Sequence, residues 1–292
     1  MRAAVHAVGR LGLIVLALLL AGCEPGVLHP AGPVAAGERT IILNSLAIML
    51  AIIVPTIIAT LAFAWWFRAG NTRARYRPDW AYSGQLELLV WSIPLLAVIF
   101  LAGIGAVGSY RYEPSRPLPS AQPALPVQVV ALDWKWLFIY PEQGIATVNR
   151  LVLPAGRPIA FRITSATVMN SFFVPRLGSQ IYAMPGMDAK LHLQADRPGR
   201  FRGISAHYSG AGFPDMNFAT DAVSPAQFGQ WIDTTRAQGP VLDGATLQAM
   251  TARAAPAPPS TFRAVAPGLY DAVLRQSGTT VREPLRHAGR EH

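Results

Sequence analysis

Two long apolar stretches limit the folds that this sequence can adopt. Residues 41–67 contain no charged side chain, and residues 86–107 contain only Glu87. As helices rising about 1.5 Å per residue, both can cross a hydrocarbon core of roughly 30 Å. The loop between them, about residues 68–84, has four arginines and one aspartate, so the positive-inside bias predicts a cytoplasmic location. The sequence therefore predicts a transmembrane helical hairpin within residues 41–112, with both of its ends outside the cytoplasm.

The first 22 residues have the form of a lipoprotein signal peptide. An apolar run at residues 11–20 follows two arginines and ends in Leu-Ala-Gly before Cys23. The run is too short for a lasting span, and small residues before a cysteine fit lipoprotein signal peptidase. We therefore predict signal peptide 1–22, an acylated diacylglycerol lipid on Cys23 and a periplasmic tether at 23–40. A chance cysteine after an export signal is the alternative.

The composition agrees with a membrane protein and gives no sign of nucleic-acid binding. Hydrophobic residues make up 51% of the chain and charged residues only 14%. The formal net charge is +9, but the arginines are spread along the chain and no nucleic-acid-binding motif accompanies them. The single cysteine excludes an internal disulfide. We predict a multi-pass, lipid-anchored protein of a bacterial inner membrane, with its N-terminus and C-terminal domain in the periplasm.

The remainder of the chain predicts a β domain. A proline-rich bridge at residues 113–126 leads into short apolar segments separated by turn signals, which favours a Greek-key sandwich over 127–224. A capping box at Ser224 predicts a helix through Trp231, and residues 225–292 are otherwise expected to be mostly irregular. The fold class is thus α+β, a membrane hairpin followed by a periplasmic sandwich. The predicted strands are residues 127–140, 145–153, 158–164, 169–175, 190–195, 201–208 and 217–223.

Four motifs within the predicted sandwich carry a family resemblance. They are Asp-Trp-Lys-Trp at 133–136, Pro-Glu-Gln-Gly at 141–144, the stretch 170–187 from Asn-Ser-Phe-Phe-Val-Pro to Met-Pro-Gly-Met, and Gly-Ile-Ser-Ala-His-Tyr-Ser-Gly at 203–210. Together they closely resemble subunit II of the haem-copper oxidases, in its bacterial ubiquinol oxidase (cytochrome bo) version. The resemblance extends from the lipobox to about Trp231, and it implies a cupredoxin-like sandwich.

The resemblance also implies that a copper site has been lost. Cytochrome c oxidases of this superfamily bind two copper ions here through cysteine, histidine, glutamate and methionine, and thiolates and imidazoles suit copper because they are soft or borderline donors. This sequence has no thiolate at the matching positions, so we predict no metal and no catalytic residue on this chain. A site built on His207 and Met216 alone would have too few ligands. The matching positions are Asn170, Ser205, His207, Ser209, Phe213 and Met216.

Three further residues receive roles from the resemblance. Trp134 and Trp136 match an aromatic stretch that helps electrons pass from copper to haem in cytochrome c oxidases; without copper, we expect them to pack against the catalytic subunit. Glu87 matches a glutamate at the mouth of a proton pathway. A carboxylate near the end of a span is costly unless it is paired, hydrated or useful. The alternative for Glu87 is an interfacial carboxylate that reaches water.

The resulting hypothesis is a non-catalytic subunit of a proton-translocating ubiquinol oxidase. The resemblance implies that ubiquinol is oxidised and oxygen reduced in subunit I, which would hold the haems and a single copper ion. Subunits I, III and IV and the lipid bilayer are the expected partners, with ubiquinol bound through subunit I. The alternatives are a cytochrome c oxidase subunit II, which the missing cysteines oppose, and a membrane-anchored periplasmic binding lipoprotein.

Overall fold

A computed structural model of the chain describes residues 26–75, 77–252 and 257–276. The predicted signal peptide and Cys23 lie outside these ranges. In the described part, two long helices precede a β-rich domain, so the predicted fold class is confirmed.

Two helices form the apolar part of the chain. Helix α1 spans Pro33–Trp66 and helix α2 spans Gly84–Arg111, and both are long and apolar enough to cross a membrane. Their side chains are largely exposed along residues 37–113, which form a compact unit of their own. At the end of α1, the Arg68 guanidinium donates a hydrogen bond to the Trp65 carbonyl (2.8 Å), which satisfies one of the carbonyls that a helix end leaves unpaired.

The start of α1 corrects the predicted tether at residues 23–40. The helix begins at Pro33, eight residues before the predicted position 41, because proline has the backbone φ of a first helical turn and needs no hydrogen-bond donor there. Residues 26–36, which we call the N-terminal strap, belong to the same compact unit as the β domain. Val34 and Ala35 are buried in that unit, so the described part of the predicted tether is packed.

The β domain contains two packed sheets. The six-stranded sheet has the order β12-β3-β2-β1-β5-β8, and the five-stranded sheet has the order β4-β10-β9-β6-β7. Most neighbours are antiparallel, but β1 pairs with β5 and β4 with β10 in parallel. The strands of the sandwich are β1 Leu125–Leu132, β2 Lys135–Tyr140, β3 Ile145–Val148, β4 Arg150–Pro154, β5 Ile159–Ser165, β6 Asn170–Val174, β7 Gly178–Ala183, β8 Ala189–Leu193, β9 Gly199–Ser205 and β10 Asn217–Val223, with β12 Ser260–Phe262 added from the C-terminal region.

Aromatic side chains from both sheets fill the space between them. Trp136, Phe138 and Phe161 come from the six-stranded sheet, and Phe172 and Phe218 from the five-stranded sheet. Phe172 and Phe218 stack with ring centroids 5.2 Å apart, and the Trp136 ring meets Phe172 edge-on at 5.4 Å. Such offset and edge-to-face pairs add to the stabilisation that burial itself gives.

Two predicted strands are each divided by a residue with a positive φ. The predicted strand 127–140 turns between β1 and β2 at Trp134 (φ 57°), and 145–153 divides at Asn149 (φ 53°) into β3 and β4, which lie in different sheets. The Asn149 side chain stabilises this switch by accepting a hydrogen bond from the Trp136 N–H (2.8 Å) and donating one to the Ala257 carbonyl (2.7 Å). Alternating hydropathy gave no signal for either break.

The strands differ from the prediction in two further places. Strand β7 was not predicted, because its exposed polar and aromatic residues give no clear apolar face. The predicted strand 201–208 ends at Ser205, where the chain leaves the sheet as a loop. These differences both concern the five-stranded sheet.

The C-terminal region is more ordered than predicted. Helix α3 spans Pro225–Ala237, six residues beyond the predicted end, and the capping box between Ser224 and Gln227 is confirmed. Helix α4, the paired strands β11 and β13, strand β12 and helical residues 269–276 follow. We call these elements after α3 the C-terminal cover. Its bounds are α4 Gly244–Ala252, β11 Val241–Leu242, β12 Ser260–Phe262 and β13 Ala264–Val265.

The cover is ordered because it completes a second hydrophobic core on the outer face of the six-stranded sheet. Leu247, Phe262, Tyr270 and Val273 pack against apolar residues of β1, β2 and β3. This is why β2 and β3 are buried on both faces. The predicted irregular tail is therefore wrong for the described residues, since this burial was not visible in the local pattern.

Candidate functional site

The positions matched to copper ligands lie on β6, at the end of β9 and on the loop that joins β9 to β10. The loop begins after Ser205 and returns to the sheet at Asn217. Its ends are tied together, because the Ser205 N–H donates to the Met216 carbonyl (3.1 Å). The neighbouring Ala206 N–H donates to the Ser171 carbonyl on β6 (2.9 Å). The loop is thus closed at its base and attached to the adjacent strand.

A buried polar pair lies at this base. The Ser205 hydroxyl donates to the Asn170 side-chain oxygen (3.2 Å), and the Asn170 amide donates to the Val168 carbonyl (3.1 Å). Asn170 is 1% exposed and Ser205 5% exposed. Buried polar groups are costly unless they are hydrogen-bonded, and here each group has a protein partner.

The remaining matched positions form other contacts. The Ser209 hydroxyl lies 3.9 Å from the sulfur of buried Met216. The His207 ring meets Tyr182 edge-on, with ring centroids 5.9 Å apart, and Phe213 meets Tyr208 in the same way at 5.7 Å. The structure therefore brings Asn170 together with Ser205, and Ser209 with Met216, while the His207 and Phe213 rings pack on tyrosines.

Trp134 covers this loop from the β1–β2 turn. A Cβ atom added at Gly212 would lie 2.1 Å from the Trp134 ring, so the loop backbone and the indole are in direct contact. Trp134 is partly exposed, although its indole N–H is buried without a hydrogen-bond partner among the described residues. The sequence indicated Trp134 as a candidate for contact with a partner subunit. It gave no signal that Gly212 would lie beneath the indole.

The role predicted for Trp136 requires correction. It was predicted to contact a partner subunit together with Trp134, but it is 0% exposed and lies in the aromatic core. The turn at Trp134 places the two side chains in different environments. Between them, buried Lys135 was missed; its ammonium group donates to the Met250 carbonyl on α4 (2.9 Å) and so ties the sandwich to the cover.

Glu87 lies in the first turn of α2, and its N–H donates to the Ser83 carbonyl (3.0 Å). It is exposed. Its position suits a carboxylate, because the unpaired N–H groups and the dipole at a helix N-terminus favour negative charge. Cys23 lies outside the described residues.

A cluster of charged and polar groups attaches the cover to the sandwich. The Arg162 guanidinium pairs with Asp188 (2.8 Å) and Asp271 (3.3 Å), and the Tyr270 hydroxyl donates to Asp188 (2.9 Å). Burial, and then the hydrogen bond to Asp188, raise the pKa of Tyr270 well above its ordinary value. In the sandwich itself, burial likewise raises the pKa of Tyr140, whose hydroxyl bonds to the Val152 backbone. We call Arg162, Asp188, Tyr270 and Asp271 the clasp.

The described residues contain no group of three or more His, Cys, Asp or Glu side chains placed to hold a metal ion. At the positions matched to copper ligands, the possible metal-binding groups are two hydroxyls, an amide, one imidazole and one thioether. This set lacks the bridging thiolates that a dinuclear copper centre requires, so the residues present do not fit such a centre.

Comparison with known proteins finds similarity to subunit II of respiratory oxidases throughout. The family model of the cytochrome c oxidase subunit II periplasmic domain matches residues 127–223. The ubiquinol oxidase subunit 2 of Acetobacter aceti is 49% identical, over 91% of this chain and 87% of that protein. The cytochrome bo(3) ubiquinol oxidase subunit 2 of Pseudomonas aeruginosa is 44% identical, over 94% and 85%. The quinol oxidase subunit 2 of Bacillus subtilis is 37% identical, over 80% and 73%.

Proposed function

The chain belongs to the ubiquinol oxidase subunit 2 family, as its motifs predicted, and from this premise we propose that it is subunit II of a proton-translocating ubiquinol oxidase. In this role it has no redox centre and no catalytic residue of its own. Ubiquinol oxidation and oxygen reduction take place in subunit I, which holds the haems and the copper. The chain acts as a structural subunit of that complex.

The observation that carries this proposal is the chemistry of the β9–β10 loop. The family resemblance matches Ser205 and Ser209 to cysteines of the related cytochrome c oxidases, and Asn170 to a histidine. In this chain those groups bond to each other, to the backbone and to Met216. A hydrogen-bonded amide and hydroxyl support packing of the loop, but they are poor ligands for copper. Electrons therefore enter the complex without passing through this domain.

We place Glu87 at the entrance of a proton pathway into subunit I. An exposed carboxylate in the first turn of an otherwise apolar helix can exchange protons with water at the cytoplasmic surface. Glu87 would thus collect protons, and the pathway itself would continue in subunit I.

Trp134 is our candidate for contact with subunit I. It is partly exposed above the loop and is held by Gly212. Large aromatic side chains that are fixed in place make efficient interface anchors, because little conformational freedom is lost on binding.

The proposed arrangement in the membrane follows from the two spans. α1 and α2 cross the bacterial inner membrane, residues 68–84 face the cytoplasm, and the sandwich lies in the periplasm. A lipid on Cys23 anchors the N-terminus in the outer leaflet of the same membrane. Subunits III and IV complete the assembly.

The function is tested by purifying the complex through a tag on this chain and measuring oxygen consumption. Reduced ubiquinone and reduced cytochrome c are supplied separately as electron donors. We expect rapid oxygen consumption with the quinol and none with cytochrome c. Oxidation of cytochrome c, or purification without any haem protein, would refute the proposal.

Mass spectrometry of the N-terminal peptide from the same sample tests lipidation of Cys23.

A further inference from the structure

The N-terminal strap closes the open side of the sandwich. Ala31 is bonded on both sides, since its N–H donates to the Arg176 carbonyl (2.7 Å) and its carbonyl accepts from the Asp196 N–H (2.9 Å). The Ala35 N–H donates to the Leu177 carbonyl (3.2 Å). Arg176 and Leu177 precede β7, and Asp196 follows β8; β7 and β8 are the edge strands of the two different sheets. The strap therefore joins the sheets along one side.

The close fit fixes the position of the strap on the sandwich. A Cβ atom added at Gly32 would lie 2.0 Å from the Gln194 carbonyl oxygen, so the two backbones touch there. Val34 and Ala35 are 6% and 0% exposed. A segment held in this way keeps the residues on its outer side at defined places.

That outer side combines an exposed apolar residue with cationic groups. Leu28 is 53% exposed, and His29 beside it is also exposed. The Arg176 guanidinium donates to the His29 carbonyl (2.9 Å) and lies over the Phe201 ring. Arg197 is exposed next to Asp196, whose carboxylate accepts a hydrogen bond from Gln194 (3.0 Å). Basic groups beside an apolar side chain are typical of surfaces that lie at a membrane interface.

The length of chain before the strap identifies the partner. Cys23 is three residues from Gly26, so the two are separated by at most about 11 Å. A lipid on Cys23 would hold this end of the strap close to the headgroups of the outer leaflet. We propose that Leu28, His29, Arg176 and Arg197, which we call the strap edge, bind the headgroups of anionic phospholipids. This inference rests on the proposed lipidation of Cys23 and deepens it, because the lipid then orients the whole sandwich.

Proximity to the headgroups can be measured with spin labels in the intact complex. Cys23 is the only cysteine of the chain, and lipidation blocks its thiol, so Leu28→Cys and Ala237→Cys each introduce one labelling site on the lipidated chain. Ala237 is an exposed control that follows Arg236, whose side chain donates to the β2–β3 turn at Gln143. With a gadolinium chelate on the lipid headgroups, we expect the label at position 28 to relax severalfold faster than the label at 237. Equal relaxation at the two positions would overturn the proposal.

The dependence of headgroup binding on charge is tested with Arg197→Glu and with the matched control Arg263→Glu, since both arginines are exposed. The complex is reconstituted in vesicles of phosphatidylcholine or of an equal mixture with phosphatidylglycerol, and hydrogen exchange of the Ala31 and Ala35 amides is compared. In the parent and in Arg263→Glu, the anionic lipid should slow exchange; in Arg197→Glu we expect about a fivefold loss of this protection. Identical exchange in both vesicles would contradict headgroup binding.

The two proposals fail in distinguishable ways. An unmodified N-terminal peptide would refute lipidation and, with it, the argument for the strap edge. A lipidated peptide combined with no lipid-dependent protection would refute the strap edge alone. Quinol oxidation by the same sample reports separately on the proposed function.

Discussion

At the scale of single residues, the β9–β10 loop is organised by packing. Trp134 adopts a positive φ, which is rare for a bulky residue, and its indole rests on the backbone at Gly212. Strain of this kind persists only where surrounding contacts determine the conformation. The contact between Trp134 and Gly212 supplies such a determinant.

We predict that Gly212→Ala destabilises the sandwich by about 1–3 kcal/mol, the usual cost of overpacking. The added Cβ would meet the rigid ring at 2.1 Å, so either the loop or the indole must move. Gly229→Ala is the control, because its Cβ would meet nothing within 4 Å. Thermal unfolding of the purified complex checks both variants. Equal melting temperatures would contradict the contact.

The proposed role of Glu87 also depends on a single side chain. We predict that Glu87→Gln lowers quinol oxidation severalfold and reduces the number of protons translocated per electron, because the amide cannot release a proton. Glu113→Gln, just beyond the other end of α2, is the control and should retain both activities. Oxygen consumption and pH changes in reconstituted vesicles measure the two quantities. A Glu87→Gln complex with unchanged proton translocation would refute the assigned role.

Residue identity predicted the members of this site but not their environments. The motifs placed Asn170 and Ser205 at matching positions, and the structure brings them within hydrogen-bonding distance. Trp134 and Trp136 looked equivalent in sequence. The turn between β1 and β2 left one partly exposed and buried the other, and local sequence spacing contains no information about that turn.

At the scale of elements, the C-terminal cover depends on the clasp and on its apolar contacts with β1, β2 and β3. Neither could be predicted from the sequence, since the contacts join residues more than one hundred positions apart, such as Arg162 and Asp271. The proline-rich composition of the tail suggested irregular structure. Burial against the sheet overrides that local tendency.

The clasp predicts a decline in stability at alkaline pH. The pKa of Tyr270 is raised above its ordinary value of 10.0, first by burial and then by its hydrogen bond to Asp188. The folded state therefore keeps this proton after the unfolded state has lost it, so the stabilisation is full below pH 10 and is lost as pH rises further.

In Tyr270→Phe, the stability should be lower by about 1–2 kcal/mol at neutral pH, because the hydrogen bond to Asp188 is lost. Its alkaline decline should also be shallower than in the parent. Tyr208→Phe, at an exposed tyrosine, should change neither. Unfolding monitored across alkaline pH measures both effects, and parallel curves for the parent and Tyr270→Phe would contradict the role of the clasp.

The apolar contacts of the cover give a separate prediction. Val273→Ala should cost about 2 kcal/mol, because it removes two buried methyl-sized groups from the second core; Val273 is 6% exposed. The same substitution at Val168, which is 47% exposed, should cost far less. Thermal unfolding of the two variants tests whether the cover is part of the cooperative domain. Equal stability would show that it is not.

At the scale of the whole molecule, the order of elements was the most predictable feature. Hydropathy defined the two spans, and turn signals with short apolar segments defined the sandwich, because these patterns depend on local composition. Strand pairing, the strap and the cover depend on contacts between distant segments. The family resemblance supplied the function that hydropathy alone could not.

The central claim is that this chain serves a quinol oxidase without holding copper itself. The most direct test is the ratio of copper to haem iron in the complex purified through this chain, measured by elemental analysis. We predict only the copper of the single haem-copper site in subunit I, together with oxidation of ubiquinol. Additional copper that is lost when Met216 and His207 are both replaced by alanine would contradict the account, because it would place a metal centre in this domain.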